Sequence, residues 1–322
     1  MGRGIQVDRA AVWSRYWATG AQHSCAGSFG ARYDGAFERF WRAALESVSG
    51  ERRVLDLCTG SGAIPRLIAA VWADDGPWHV DGVDLADVPS VAELALPEAR
   101  IRLWPRTSIT QLPFATASMD LITSQYGVEY GDWAQTLPEV FRVLKPQGQV
   151  CWALHAQPAR PVQLARSELM HQDALLAPDG LLACAERMLP LLARAQTAKG
   201  RAQLDRDPAA LNTRDLFNAA QEALAAALAS SSCPDVVHEA RAVVNQALQT
   251  GSAAALVKFR TQVLDAQLRL RELCEAAVSD ETLRNLEHAF VDRGFEVRLT
   301  PIQERGHLMA LGFQARGPGG VV

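Results

Sequence analysis

Two aspartates and two glycines carry the clearest chemistry in this chain. Asp56 and Asp84 bracket the turn Thr59-Gly60-Ser61-Gly62, and an apolar-periodic helix follows from Ala63. Glycine lets loop N–H groups approach a ligand with no Cβ in the way, and a helix N-terminus favours negative charge there. A dinucleotide fingerprint wants a third Gly or Ala three positions after Gly62, where Pro65 stands instead. The pyrophosphate reading weakens accordingly. An acid ahead of the glycines suits a cationic group, so carboxylate plus loop amides fit a ligand that bears both an ammonium and a carboxylate. Asp84 alone is less specific, because an acid about 20 residues past a glycine loop also marks nicotinamide sites.

These residues need strands and helices to hold them. From Arg53 to Leu154 the pattern alternates, with strands near 53–57, 79–84, 100–104, 119–124 and 149–155 and helices near 63–73, 87–95 and 132–144. Short apolar strands separated by helices imply a parallel sheet covered on both faces, whose ligands bind outside the C-terminal strand edges. Three further strand ends therefore matter: Ser108-Ile109, Ser124 through Tyr130, and His155. Asp132 is placed to cap the third helix, and Pro138 inside it reads as a kink or a late start.

The segment VLDLCTGSGAIPRLI, residues 54–68, resembles motif I of the class I S-adenosylmethionine-dependent methyltransferases. Residues 111–150 resemble, in order, that family's Leu-Pro-Phe, fourth strand, helix D and Leu-Lys-Pro-x-Gly turn. The resemblance implies S-adenosyl-L-methionine as cofactor and a Rossmann-like α/β fold, a doubly wound seven-stranded sheet with its last strand antiparallel. It implies Asp56, Thr59, Gly60, Ser61 and Gly62 around the methionine half, and Asp84 with Leu85 at the ribose. Ser108 and Ile109 would lie near the adenine, Ser108 standing where the family often has an acid. Ser124, Gln125 and Tyr126 would face the methionine and the methyl-transfer region.

Methyl transfer from a sulfonium is an in-line displacement, which needs alignment and exclusion of water. A proton-bearing nucleophile also needs a base, for which His155, Glu129 and Tyr126 are the strand-end candidates, with His23 and His307 further off. The unperturbed pKa of a histidine lies near neutrality, which suits proton removal. A strand-end histidine also serves as a hydrogen-bonded wall residue, and Glu129 can equally bind an ammonium or orient the cofactor.

Residues 1–51 are dense in aromatics and fit two helices, 9–19 and 32–48, around the Gly/Ser-rich stretch 20–30. In related methyltransferases such a piece folds over the cofactor, which would bring His23, Cys25, Ser28 and Tyr33 to the mouth of the site. Alternatively its aromatics pack the helices on the sheet. Between 157 and 279 the chain turns Ala-, Leu- and Gln-rich at helical spacing, with helices expected at 161–176, 180–198, 213–230, 234–250 and 252–277. This stretch is too long for a loop and reads as a helical insertion, a substrate cap or an oligomerisation element. Asp280 then caps a helix to Arg293, and strands 295–300 and 308–315 close the sheet. The organisation is a helical cap 1–51, a cofactor-binding core 52–156 and 280–322, and the insertion 157–279.

With 322 residues and 48% hydrophobic content the chain can bury a large core. A net charge of −4 and a pI near 6.0 disfavour polyanion binding, so nucleic acid is not expected as a substrate. Six cysteines without a C-x-x-C pair suggest neither a metal site nor a disulfide framework. No signal-like start or run of 18 apolar residues occurs, which points to a cytoplasmic protein without membrane attachment. The leading expectation is methyl transfer to a small molecule, with a homodimer possible. A non-catalytic cofactor-binding regulatory or assembly protein is the alternative, and a nicotinamide oxidoreductase a third class.

Overall fold

Alternating apolar strands and amphipathic helices leave a sheet two faces to bury. The computed structural model describes residues 8–21, 35–48, 51–229, 231 and 233–318. Its seven strands are β1 (Arg52–Leu57), β2 (Trp78–Val83), β3 (Ile101–Trp104), β4 (Met119–Gln125), β5 (Leu144–Leu154), β6 (Glu296–Glu304) and β7 (His307–Arg316). They lie in the order β3-β2-β1-β4-β5-β7-β6. The first five are parallel, and β7 runs antiparallel between β5 and β6. This is the Rossmann-like arrangement expected, with the sequence order reversing between β1 and β4.

Successive side chains of a strand point to opposite faces, and the core follows that period. Val54, Leu121, Cys151 and Ala153 pack on one side with α2 (Gly35–Glu46) and α3 (Ala63–Val71). Leu55, Ile122, Trp152 and Leu154 pack on the other with α4 (Trp133–Val143) and α11 (Asp280–Val291). Pro138 lies inside α4, which starts at Trp133 with Asp132 accepting from the Ala134 N–H, so it does not delay the helix. Pro301 is tolerated in β6 because that strand is at the sheet edge.

Several expected boundaries move. No helix forms over 87–95: Ser90 and Glu93 bond reciprocally as a capping pair, but Ala95 takes φ 52° and Pro97 follows, so the turn does not propagate. The cap of α11 is Ser279, whose hydroxyl accepts from Thr282 N–H, rather than Asp280. Residues 301–304, which lie between the two expected strands, extend β6, and Arg305 and Gly306 with φ 48° and 78° make the hairpin turn.

The chain divides into two compact units, residues 1–162 with 275–322, and residues 163–274. The second is all helical in its described residues and has its own core, in which Leu182, Phe217, Val244 and Phe259 are buried. Its helices include α6 (Leu181–Arg194), α7 (Ala198–Leu204) and α8 (Pro208–Leu228). Lys199 and Gly200, just past the helix expected over 180–198, lie inside α7, where a Cβ on Gly200 would meet the Arg194 carbonyl. Asp207-Pro208 starts α8 ahead of the helix expected from 213: the Asp207 carboxylate caps Ala209 and Ala210, and Pro occupies the first turn. No helix among the described residues is long and apolar enough to cross a membrane.

Candidate active site

The strand ends β1, β2 and β4 meet at one cavity of about 250 Å³. At β1 the chain reverses through Cys58 (φ 56°), Gly60 (φ 53°) and Gly62 (φ 71°), three left-handed residues in five. Gly62 N–H donates to the Thr59 carbonyl, and α3 begins. Pro65 falls in the first turn of α3, where a missing N–H costs no helical bond. A Cβ on Gly60 would lie 2.6 Å from the Trp17 ring, so this position needs glycine for space as well as for φ.

Two carboxylates flank the turn, both buried. Asp56 accepts from Thr123 Oγ1 at 2.7 Å. Asp84 Oδ2 accepts from Gly60 N–H at 2.9 Å, and its Oδ1 from Ala86 N–H at 2.8 Å, so the end of β2 is tied to the glycine turn. Burial raises Asp56 to about 7, against the hydroxyl bonds that lower it, and the charge of Asp84 adds to the rise. Burial likewise lifts Asp84 to about 6, opposed by the two N–H donors. Cys58 lines the same cavity, and burial together with Asp84, Glu129 and Asp56 pushes its thiol well above the ordinary value. The thiol stays protonated, and three acids surround it.

Beyond β4 the chain forms a single 3-10 turn, Val128–Tyr130. Ser124 Oγ donates to the Leu57 carbonyl and accepts from Val128 N–H, stapling this turn to β1. Gln125 Oε1 accepts from Trp41 Nε1 at 2.6 Å. Tyr126, at φ 54°, turns its ring inward: the hydroxyl donates to the Met309 carbonyl on β7, and the ring stacks on His155 at 3.9 Å. His155 is fully buried, and Glu129 Oε1 lies 2.9 Å from both its backbone N and its Nδ1. A carboxylate oxygen only accepts, so Nδ1 carries a proton in this pair.

A helix from far upstream completes the wall. The first helix, α1 (Arg9–Trp17), is capped by Asp8, and Asp87 N–H donates to its Ser14 hydroxyl at 2.8 Å. Trp13 stacks on Trp17 with centroids 5.9 Å apart and meets Tyr130 edge-on at the same distance. Arg9 donates to the Tyr130 carbonyl. All four border the cavity.

Of the residues expected from sequence, Asp56, Thr59, Asp84, Leu85, Ser108, Ile109, Gln125 and Tyr126 line this cavity. The Ser108 hydroxyl is already shared with Thr110, 2.8 Å away. Gly60, Ser61, Gly62, Ser124, Glu129 and His155 are not among the residues that line it; they shape or back the wall. His307 lies exposed beside Arg160, and His23, Cys25, Ser28 and Tyr33 fall outside the described residues. Trp13 and Trp17 are legible only as part of an aromatic-dense segment, Tyr130 only as the last residue of the strand-end stretch from Ser124, and Arg9 carries no site signal of its own.

A family model for a methyltransferase domain matches residues 54–148. A demethylmenaquinone methyltransferase from Lactiplantibacillus plantarum is 32% identical over 132 residues, which cover 38% of this chain and 55% of that protein. A ubiquinone/menaquinone biosynthesis C-methyltransferase from Syntrophotalea carbinolica is 31% identical over 172 residues, covering 51% of this chain and 71% of the relative. This chain belongs to the class I S-adenosylmethionine-dependent methyltransferases. A glycine/sarcosine/dimethylglycine N-methyltransferase from Actinopolyspora halophila is 30% identical over 147 residues, 42% of this chain and 25% of that protein. The match to the first relative thus spans little more than half of its length.

For a class I methyltransferase the donor set fits the cofactor. Asp56 and Asp84 are buried beside the glycine turn, and Arg9 is the cationic side chain lining the cavity among the described residues. Leu85, 48% exposed, and Ile109 offer apolar surface for a flat purine. Such a site attracts a ligand with positive charge at one end and an apolar ring at the other.

Proposed function

We propose that the chain is an S-adenosylmethionine-dependent methyltransferase acting on a small-molecule acceptor. The observation that carries this reading is that two buried carboxylates, Cys58 and Thr59 at the start of the glycine turn, and an aromatic wall border one cavity. When bound, the cofactor supplies a methyl group on a positively charged sulfur, open to in-line displacement. The chain's part is to bind, orient and keep out water.

Each oxygen of Asp84 takes one N–H and keeps lone-pair capacity for a sugar hydroxyl. Asp56 and the turn amides suit the amino-acid end. Trp13, Trp17 and Tyr130 cover the side toward α1. His155, Glu129 and Tyr126 act in this reading as the support that fixes the turn after β4: the Tyr126 ring stands in front of His155, and Glu129 holds the imidazole from behind.

A small acceptor is supported by the absence of a basic surplus in the sequence and by the relatives' names, which mention quinone biosynthesis and glycine derivatives. Those names span carbon and nitrogen acceptors and do not select one. The test is calorimetric titration with S-adenosylmethionine, S-adenosylhomocysteine and a nicotinamide dinucleotide, followed by label transfer to quinol and amine acceptors. Binding of the first two with transfer of label supports the proposal. Heat from the dinucleotide alone, or cofactor binding without transfer to any acceptor in cell extract, sinks it.

A further inference from the structure

A second cavity lies between α2 and the edge of the sheet, and none of its lining residues borders the active-site cavity. Paired residues of neighbouring strands point to the same face. On the face beneath α2, one row across β5, β7 and β6 is Ala153, Gly312 and Thr300, the next is Cys151, Gln314 and Arg298, and the last is Gln149, Arg316 and Glu296. The first row is closed by packing, because the Phe40 ring occupies the space that a Cβ on Gly312 would need. Over the other two rows the sheet turns polar while α2 presents Ala43 and Ser47, so helix and sheet stand apart around a cleft of about 580 Å³. Layers that close on each other leave no such space.

The cleft is positive in a chain that is negative overall. Arg39, Arg298 and Arg316 line it against one acid, Glu296, while the whole chain carries −4. Arg39 and Arg298 make no ion pair among the described residues. Two nearby acids are engaged elsewhere, Glu38 by Arg42 and Glu304 by the Ala36 N–H. Arg298 and Arg316 are diagonal neighbours on adjacent strands, within reach of one ligand, and like charges held this close repel until an anion sits between them. A guanidinium fork matches the oxygens of a phosphate. Glu296 stands opposite Arg316, where it accepts from hydroxyls and repels a second anionic group. We propose that this cleft is a binding site for a small phosphate monoester that also bears hydroxyl groups. Arg39 and Arg298 hold the phosphate, and Glu296 and Thr300 take the hydroxyls. The site does not depend on the cofactor reading.

The experiment is calorimetry on the full chain with glucose phosphate, ribose phosphate and glycerol phosphate, and with inorganic phosphate and unmodified glucose as controls. At least one ester is expected to bind more tightly than inorganic phosphate, and glucose is expected to give no heat. Arg298→Gln and Arg39→Gln should each weaken that ester by roughly ten-fold or more, the worth of a hydrogen bond to a charged group. Arg284→Gln makes the same charge change on exposed α11, away from the cleft, and should leave binding as it was. Both cleft arginines are exposed, and circular dichroism establishes that each variant is folded. Glu296→Gln should narrow the preference for the ester over inorganic phosphate. No binding of any ester, inorganic phosphate bound as tightly as the best ester, or an equal loss in Arg284→Gln overturns the inference. Each of these outcomes leaves the proposed function untouched, because S-adenosylmethionine binds elsewhere in that reading.

Discussion

The α/β unit and the helical unit bury polar groups differently. Among the described residues of the helical unit the buried polar side chains are two amides and a histidine, Gln172, Gln267 and His171. Gln172 and Gln267 donate to Glu168 and Asp173, and His171 Nε2 meets Ser231 Oγ at 2.6 Å. In the α/β unit the buried set includes four acids, Asp56, Asp81, Asp84 and Glu129. Three of these act on Cys58 at the cavity. Burying a carboxylate is costly unless something in the working state repays it. A parallel sheet gathers all its strand ends on one edge, so acids there converge on one ligand. Helices joined by short turns spread their ends, and their buried amides serve packing instead.

The largest break in this contrast is expected from Asp84→Ala. It removes an acceptor for Gly60 and Ala86 N–H and for the ligand, and should weaken S-adenosylmethionine binding by roughly 10- to 150-fold, the worth of a hydrogen bond to a charged group. Titration calorimetry measures this. Gly60→Ala should destabilise the fold by about 3 kcal/mol in urea denaturation, because a Cβ at φ 53° is strained and also meets Trp17.

Acidity gives a graded test. Asp56 and Asp84 are raised from 3.8 to about 7 and about 6, so the folded, ligand-free chain holds protons that the unfolded chain has lost. Their contribution to stability is full below 3.8 and disappears as pH rises through 6 and 7. Binding of a cation runs the other way. Affinity for S-adenosylmethionine should climb about tenfold from pH 6 to pH 8, and Asp56→Asn should flatten that slope. A slope unchanged in the variant would detach Asp56 from the ligand.

The smallest effect sharpens the contrast from the other side. Asp207→Ala removes the cap of α8 and should cost about 1 kcal/mol, with cofactor affinity unchanged. A change in affinity would mean that the helical unit feeds the site.

Local signals made much of the core legible. Gly60, Gly62, Asp56 and Asp84 lie within 29 consecutive residues and act through their own backbone and strand ends. The α/β alternation likewise announced seven strands. What stayed hidden depends on contacts across long sequence separations. Trp17 reaches Gly60 only because α1 docks on the strand ends, and Tyr126 lines the cavity while its hydroxyl is committed to Met309. The expected helix at 87–95 failed for the opposite reason: a correct local cap had no room to extend before Ala95 and Pro97.

The placement of β7 between β5 and β6 has a consequence for biosynthesis. The Tyr126 hydroxyl finds its acceptor on a residue 183 positions later. A nascent chain can therefore assemble β1 to β5 while that tether is missing, and the helical unit emerges from the ribosome in the interval. The wall at Tyr126 thus waits on synthesis of everything between the two partners.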